Sequence, residues 1–204
     1  MSVGVFTRPA IERIAHTAFR LASSRRKKVT IVHKTNVLKL TTGLFRDVSL
    51  EVSQKYPDVE ADELLVDAAT AHLVRRAGSF DVILTENMFG DILSDLAGEL
   101  VGALGLSPSI NASDTHAMAQ AAHGAAPDIA GQGLANPVGI ILSSVMLLRW
   151  LAERHGDPQL LRVADAVESG VGDTLAAGVR TADLGGSHGT EVFAASVAER
   201  CGCA

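Results

Sequence analysis

Residues 81–96 read DVILTENMFGDILSDL, and this stretch decides the fold. The apolar run 82–85 predicts a short buried strand, and the following residues predict a helix from about Met88. A strand followed directly by a helix is typical of α/β proteins. Asp91 and Asp95 are four positions apart, so their carboxylates are expected on one face of that helix, about one turn apart.

The aspartate pair has two interpretations. Both residues are predicted near the helix N-terminus, where the backbone dipole favours negative charge. Two carboxylates after an apolar strand suit a hard divalent cation, which prefers oxygen ligands. Spacing alone favours the simpler interpretation, a solvated helix face that carries two acids, because such pairs are common.

Composition limits the classes of function. The chain has 204 residues, of which 47% are hydrophobic, so one large or two small domains with a substantial core are expected. The net charge of −5 argues against nucleic acid or an anionic membrane surface as the main partner. The two cysteines, Cys201 and Cys203, form no framework across the chain, which predicts a reducing, cytoplasmic location. We find no signal peptide, and the apolar run 138–148 is too short to span a bilayer.

Hydrophobic periodicity predicts further elements. After Pro9, apolar residues recur at helical spacing, and they are Ile11, Ile14, Ala15, Ala18, Phe19 and Ala22. The β-branched run 29–32 predicts a buried strand of the parallel type. Helices are predicted over residues 41–56, 66–76, 137–153, 157–175 and from about 190 to 201. Residues 107–109 predict a turn, and 111–115 predict a loop.

Two charged residues stand at predicted element ends. Lys34 comes just after the strand 29–32, at the edge of an α/β sheet where ligands bind. An exposed charge is the default interpretation of Lys34, but beside a bound cation its pKa falls and it can relay a proton. Asp67 lies between Val66 and Ala68. If Asp67 is buried it must be paired, bound to a cation or protonated; an N-terminal helix cap is an equally good interpretation.

Residues 116–137 predict a long ordered loop that is rich in Gly, Ala and Pro. Small residues let a flat ligand approach the backbone closely. Asp128 in this loop is suited to accept hydrogen bonds from ribose hydroxyls and to repel a 2′-phosphate. Taken in isolation, the loop also fits a structured connection with no ligand. No GxGxxG follows a strand and no Walker motif is present, so an ordinary dinucleotide-binding fold is not indicated.

Several motifs together resemble the metal-dependent β-decarboxylating dehydrogenases, the isocitrate and 3-isopropylmalate dehydrogenase family. They occur in the family's order and cover nearly the whole chain. They are TRPAIERIA (7–15), VHKTNVLK (32–39), GLFRD (43–47), VDAATAHLV (66–74), NMFGDILSDL (87–96), HGAAPDIAGQGLANP (123–137) and RTADLGGSHGT (180–190).

The resemblance implies a role for each matching residue. Asp91 and Asp95 are implied as carboxylate ligands of Mg²⁺ or Mn²⁺. Asp67 is implied as the third ligand and, with Lys34, as a catalytic residue that reaches the site across the interface of a homodimer. The implied cofactor is NAD, and the residues implied to contact it are Asn36, His123, Gly124, Asp128 and Asn136.

The implied reaction is the oxidative decarboxylation of a small 2-hydroxy acid of the isocitrate, homoisocitrate or 3-isopropylmalate type. A cation would polarise the C2 oxygen, and Lys34 and Asp67 would handle the hydroxyl proton. Asp128 favours NAD over NADP. Gln120 stands where the family usually has glutamate, which keeps hydrogen bonding and loses a charge.

The resemblance implies an α/β, isopropylmalate-dehydrogenase-like fold that lacks its N-terminal part. Residues 1–101 would form most of the smaller dimerisation domain, and 102–204 would form the C-terminal part of the larger cofactor-binding domain. The arginines that hold the substrate carboxylates would lie in the absent part. Little turnover is therefore expected from this chain alone. The alternative is a non-catalytic fragment or subunit that dimerises and binds nucleotide.

Overall fold

The structure is a computed structural model that describes Met1 and residues 3–202. Cys203 therefore lies outside the described residues. The chain divides into two compact units, residues 1–97 and residues from 98 onward.

The first unit contains a parallel sheet of three strands. The strands are β1 (Lys28–His33), β2 (Glu60–Leu65) and β3 (Val82–Thr85), in the spatial order β2-β1-β3. The helices are α1 (Arg8–Ser23), α2 (Thr41–Ser53), α3 (Val66–Arg76) and the part of α4 (Asn87–Val101) that precedes residue 98. The strand and helix alternate along the chain, and the predicted α/β class is confirmed.

The central strand β1 is buried on both faces. Val29 and Ile31 join one cluster, with apolar residues of α1 and α2. Val32 points into a second cluster, with Ala69 of α3 and Leu93 of α4. A strand covered on both faces needs a continuous apolar run rather than alternation, which explains why the sequence signal of this strand was short and uniform.

Two predictions about this unit are wrong, and one strand was not predicted. Ile14 is 47% exposed, so it lies outside the buried stripe of α1. The helix predicted to end at residue 56 ends at Ser53. The strand β2 (Glu60–Leu65) was not predicted, because the acids in EADELL obscure its apolar residues. Pairing with the central strand overrides that weak local propensity.

The Asp81 carboxylate ties the turn after α1 to the start of β3. Its side chain is 1% exposed. It accepts hydrogen bonds from Arg25 Nε at 2.9 Å and from the Arg26 backbone N–H at 3.0 Å. Burial raises the pKa of this carboxyl, but the hydrogen bond and charge of Arg25 outweigh burial, so the net pKa lies below its ordinary value.

The Asp81→Ala substitution is expected to lower the free energy of unfolding by about 1–3 kcal/mol at pH 7, because it removes the buried carboxylate that pairs with Arg25 and accepts from the Arg26 N–H. A depressed folded-state pKa stabilises the fold above the unfolded pKa of about 3.9 and loses that contribution below it. The difference from the unchanged protein should therefore shrink as the pH falls below about 4. Urea unfolding at several pH values measures it. Asp58→Ala, at an exposed aspartate of the same unit, is the control and should change little at any pH.

The second unit combines an antiparallel hairpin with three helices. Its elements are β4 (Pro108–Ala112), β5 (Ala117–Ala121), α5 (Val138–His155), α6 (Pro158–Ala176) and α7 (Thr190–Arg200). Val138, Val171 and Phe193 form the centre of its core. No helix in the described part of the chain has both the length and the apolar character that a membrane crossing requires.

The hairpin corrects the prediction of a turn at 107–109, a loop at 111–115 and an unbroken loop over 116–137. The strand AMAQA contains no β-branched or aromatic residue, so its sequence gave no strand signal. Packing against α5 stabilises it instead. The buried hydroxyl of Ser143 accepts a hydrogen bond from the Ser109 N–H at 3.0 Å and lies 2.7 Å from the Gln120 carbonyl oxygen.

Candidate active site

The elements that carry four of the candidate residues all follow the carboxyl ends of the parallel strands. Lys34 follows β1, and Asp67 is the second residue of α3, which directly follows β2. Asp91 and Asp95 lie on α4, which follows β3. Since parallel strands end at the same edge, the first unit brings these segments to the edge where α/β sheets bind ligands.

Lys34 and Asp67 form an ion pair within one copy of the chain. The Lys34 Nζ donates to Asp67 Oδ1 at 2.5 Å. This hydrogen bond is the main reason that the pKa of the Asp67 carboxyl lies below its ordinary value, and backbone N–H groups at the start of α3 add to the effect. Asp67 is therefore an ionised acceptor at neutral pH, held beside a lysine ammonium.

The structure changes the interpretation of Asp67. Its side chain is 65% exposed, so the premise that it is a buried acid is wrong. The N-cap interpretation is also wrong, because the cap of α3 is Leu65 and no side chain caps it. Asp67 instead lies in the first helical turn, where the backbone dipole favours a negative charge. That the pair serves the site of a second copy stays a prediction.

Asp91 and Asp95 lie further along their helix than the sequence suggested. The first turn of α4 contains no acid, and the dipole effect falls off within that turn. Glu86 is the acid at the start of α4, and its carboxylate accepts hydrogen bonds from the backbone N–H groups of Met88 and Phe89, each at 3.0 Å. Sequence reasoning missed Glu86. An acid directly before a predicted helix was the available signal.

The donor set at α4 suits a hard cation. Asp91 and Asp95 are both exposed, and their oxygens are the ligand type that Mg²⁺ and Mn²⁺ prefer. Within one copy, the described residues include no group of three or more His, Cys, Asp or Glu side chains placed to hold a metal. The pair fits part of a metal site, and that Asp67 of another copy supplies the third carboxylate stays a prediction.

Asn36 lines a cavity of about 530 Å³ at the ends of β1 and β2. Its wall also includes Lys39 and Arg46, and both carry a charge. His33 lies in the same wall, and burial lowers its pKa. Among the described residues of this wall, Asn36 is the one that the resemblance implied as a cofactor contact. Lys34 and Asp67 do not line the cavity.

The remaining candidates for cofactor binding lie in the second unit. His123 is partly buried and its Nδ1 is 2.9 Å from the Gly124 carbonyl oxygen. Gly124 and Asp128 are exposed, and a Cβ on Gly124 would meet no atom within 4 Å. An open backbone and an exposed carboxylate fit a ribose with two free hydroxyls. Asp128 is therefore accessible to a ligand.

Asn136 is buried and its side-chain amide is already engaged. Its Nδ2 donates to Asp183 Oδ2 at 3.0 Å, and its Oδ1 accepts from the Val138 N–H at 3.0 Å. Sequence reasoning gave Asp183 no role. No periodicity or motif pairs residues so far apart, so the link could not be foreseen.

These features can be compared with known proteins. The family model described as isocitrate/isopropylmalate dehydrogenase matches residues 1–200. The chain belongs to the isocitrate/isopropylmalate dehydrogenase family. The predicted family and fold are therefore confirmed.

Similar members of the isocitrate/isopropylmalate dehydrogenase family include archaeal and bacterial proteins. The 3-isopropylmalate/3-methylmalate dehydrogenase of Methanocaldococcus jannaschii is 45% identical and aligns to 96% of this chain and 58% of its own length. The isocitrate/homoisocitrate dehydrogenase of Thermus thermophilus is 48% identical, over 96% of this chain and 57% of its own length. The crystal structure of isocitrate dehydrogenase from Methylococcus capsulatus has a TM-score of 0.90 and 41% identity, covering 98% of this chain and 58% of that one. The chain thus spans somewhat more than half the length of these relatives, which fits a resemblance to the C-terminal part of the family.

Proposed function

We propose that this chain acts in the NAD- and Mg²⁺- or Mn²⁺-dependent oxidative decarboxylation of a 2-hydroxy acid, as a homodimer. The observation that carries the proposal is the Lys34–Asp67 ion pair after β1 and β2, with Asp91 and Asp95 on the helix after β3. Proton transfer and cation binding are the two tasks that this residue set can perform.

The ion pair supplies the proton chemistry. Asp67 is kept ionised by the Lys34 ammonium, so it can accept a proton, and Lys34 can return one. Both groups are within hydrogen-bond reach of each other, which suits a relay between a substrate hydroxyl and solvent. A bound divalent cation would supply charge stabilisation at the C2 oxygen, and NAD would accept the hydride.

Exposed apolar residues support the homodimer. Val74 on α3 and Met88 and Ile92 on α4 are 62%, 58% and 55% exposed. Leu73 and Leu93 on the same two helices are buried in the core, so these helices carry apolar groups on two sides. A contiguous apolar surface marks an interaction site, and we propose that these residues form one such surface in the dimer. A second copy packed there would lie beside the elements that carry the four charged residues.

The names of the relatives support the substrate class. They are dehydrogenases of 3-isopropylmalate, 3-methylmalate, isocitrate and homoisocitrate. These acids share a 2-hydroxy acid core and differ in one substituent, so we propose that core as the substrate feature. A second candidate is a subunit that dimerises and binds nucleotide without turnover, which the exposed Gly124 and Asp128 in the predicted cofactor loop would equally serve.

Binding of Mn²⁺ by the purified chain, followed by electron paramagnetic resonance, tests the proposal. Asp91→Asn and Asp95→Asn should each weaken Mn²⁺ binding about tenfold or more, because each removes one charged ligand. Asp58→Asn, at an exposed aspartate elsewhere in the first unit, should leave it unchanged. NADH formation with isocitrate or 3-isopropylmalate then separates the enzyme from the nucleotide-binding subunit. Equal Mn²⁺ binding by the unchanged chain and all three variants would contradict a metal site at α4.

A further inference from the structure

The glycine-rich segment RTADLGGSHGT (residues 180–190) has no role in the chemistry above, yet it contacts the predicted cofactor loop. The loop, residues 123–137, carries His123, Gly124, Asp128 and Asn136. Both segments belong to the second unit. The hydrogen bonds that join the two segments among the described residues reach Gly133, Ala135 and Asn136, in the C-terminal half of the loop.

Asp183 makes the first of these contacts. Its Oδ2 accepts the Asn136 Nδ2–H at 3.0 Å, while its Oδ1 accepts the hydroxyl of Thr181 at 2.5 Å. Thr181 is fully buried. The second end of the Asn136 amide accepts the Val138 N–H at the start of α5. Asn136 is therefore fixed on one side by Asp183 and on the other by a helix.

Thr190 makes the second contact. Its backbone N–H donates to the Gly133 carbonyl oxygen at 2.8 Å, and its hydroxyl donates to the Ala135 carbonyl oxygen at 2.5 Å. Gly189 passes so close that a Cβ there would lie 2.8 Å from the Gly133 carbonyl oxygen. Alternate residues of the loop, 133 and 135, are thus bound by one residue.

The N-terminal half of the loop is held differently. Its hydrogen bonds are local: His123 Nδ1 lies 2.9 Å from the Gly124 carbonyl oxygen, and the Asp128 carbonyl oxygen accepts from Gln132 Nε2 at 2.7 Å. Gly124 and Asp128 remain exposed. The loop therefore consists of an anchored half, 133–136, and a presented half, 123–128, that faces solvent.

We propose that residues 180–190 form a clamp that positions the loop for the adenosine half of the cofactor, with Asp183 and Thr190 as positioning residues. This inference rests on the proposed nucleotide function. Loss of a clamp bond lowers the fraction of molecules whose loop is in the binding conformation, and the apparent dissociation constant rises in inverse proportion to that fraction. A drop of the competent fraction to about one tenth gives a tenfold weaker apparent affinity.

The test uses two measurements on the purified chain. Calorimetric titration with ADP, which contains the adenosine half and no nicotinamide, reports ligand affinity. Hydrogen exchange of residues 133–136 without ligand reports the clamp itself. Asp183→Ala removes the acceptor of the Asn136 amide, and Thr190→Val removes the hydroxyl that donates to Ala135. Asp183→Asn and Thr190→Ser are the conservative variants, which keep an amide oxygen and a hydroxyl at these positions. Asp173→Ala, at an exposed aspartate of α6, is the matched control.

Asp183→Ala is expected to bind ADP about tenfold more weakly and to exchange faster at 133–136. Asp183→Asn and Thr190→Ser should keep most of the ADP affinity and most of the exchange protection at 133–136. Asp173→Ala should change neither quantity. If Asp183→Ala does not fold, Thr190→Val against Thr190→Ser provides the same comparison. Unchanged exchange at 133–136 would overturn the clamp whatever the binding result. Faster exchange with unchanged ADP affinity would overturn its role in positioning. Faster exchange in a chain that never binds ADP would instead reject the nucleotide function.

Discussion

The Lys34→Met substitution is expected to slow NADH formation by about 10²- to 10⁴-fold, the range that a positioned proton donor or acceptor contributes. The reason is specific to the ion pair. Lys34 holds its ammonium 2.5 Å from the Asp67 carboxylate, and methionine keeps the length of the side chain without the charge or the proton. Because little turnover is expected from this chain alone, NADH formation is measured at a protein concentration above that of NAD, with Mn²⁺ and each candidate acid, and compared with the unchanged chain. Lys55→Met, at an exposed lysine in the same unit, is the control and should retain full rate.

A second measurement on the same variant does not depend on turnover. Lys34 is the main cause of the low pKa of the Asp67 carboxyl, so removing Lys34 should raise that pKa towards the ordinary value of about 3.9. Carbon-13 NMR titration of the carboxyl detects the change. Any activity that needs ionised Asp67 is lost as the pH falls through this pKa, so the acid limb of the rate profile should move to higher pH in Lys34→Met. An unchanged Asp67 pKa would contradict the pair.

The coupling between Lys34 and Asp67 can be measured with a double-mutant cycle. If Lys34 and Asp67 act as one relay, either single substitution already disables it. The double variant Lys34→Met with Asp67→Asn should then be little slower than the slower single variant. Additive losses would mean that the two groups act in separate steps.

The sequence predicted the parts of this site that depend on local pattern. The apolar run 82–85 and the helix after it were both found, because the strand is buried and its signal is continuous. Lys34 was placed correctly just after its strand. The family resemblance implied that Lys34 and Asp67 serve the same site, but their direct contact was not predicted. They come together because β1 and β2 are adjacent in the sheet, and β2 itself was missed.

The parts that the sequence did not predict depend on tertiary contacts. The hairpin β4–β5 forms from residues with low strand propensity, because Ser143 and the face of α5 hold it. The bounds of α3 were predicted correctly, but the exposure of Asp67 depends on which side of that helix packs against the core, and flanking apolar residues do not report that. The bond between Asn136 and Asp183 joins residues in separate segments. Each of these features is determined by tertiary packing, which overrides local propensity and cannot be read from the pattern of one segment.

The clamp segment also contains the position most sensitive to a single added carbon. A Cβ on Gly186 would overlap the backbone carbonyl group of Arg180. The same backbone is constrained, because the Gly186 N–H donates to the Thr181 carbonyl oxygen at 2.9 Å and the His188 N–H donates to the Arg180 carbonyl oxygen at 3.0 Å. A flexible side chain could move aside for the new carbon, but a hydrogen-bonded carbonyl can move only with the segment.

Gly186→Ala is therefore expected to lower the free energy of unfolding by about 3 kcal/mol or more, at the upper end of the cost of overpacking. Gly172→Ala is the matched control, since Gly172 lies inside α6, is exposed, and has no atom within 4 Å of its added Cβ. That change should stabilise the protein by about 0.5–1 kcal/mol, because alanine loses less conformational freedom in a helix than glycine. Urea unfolding of both variants gives the two values. Opposite signs follow only if the carbonyl group of Arg180 occupies the space beside Gly186, so a mild effect at both positions would mean that the segment takes another path.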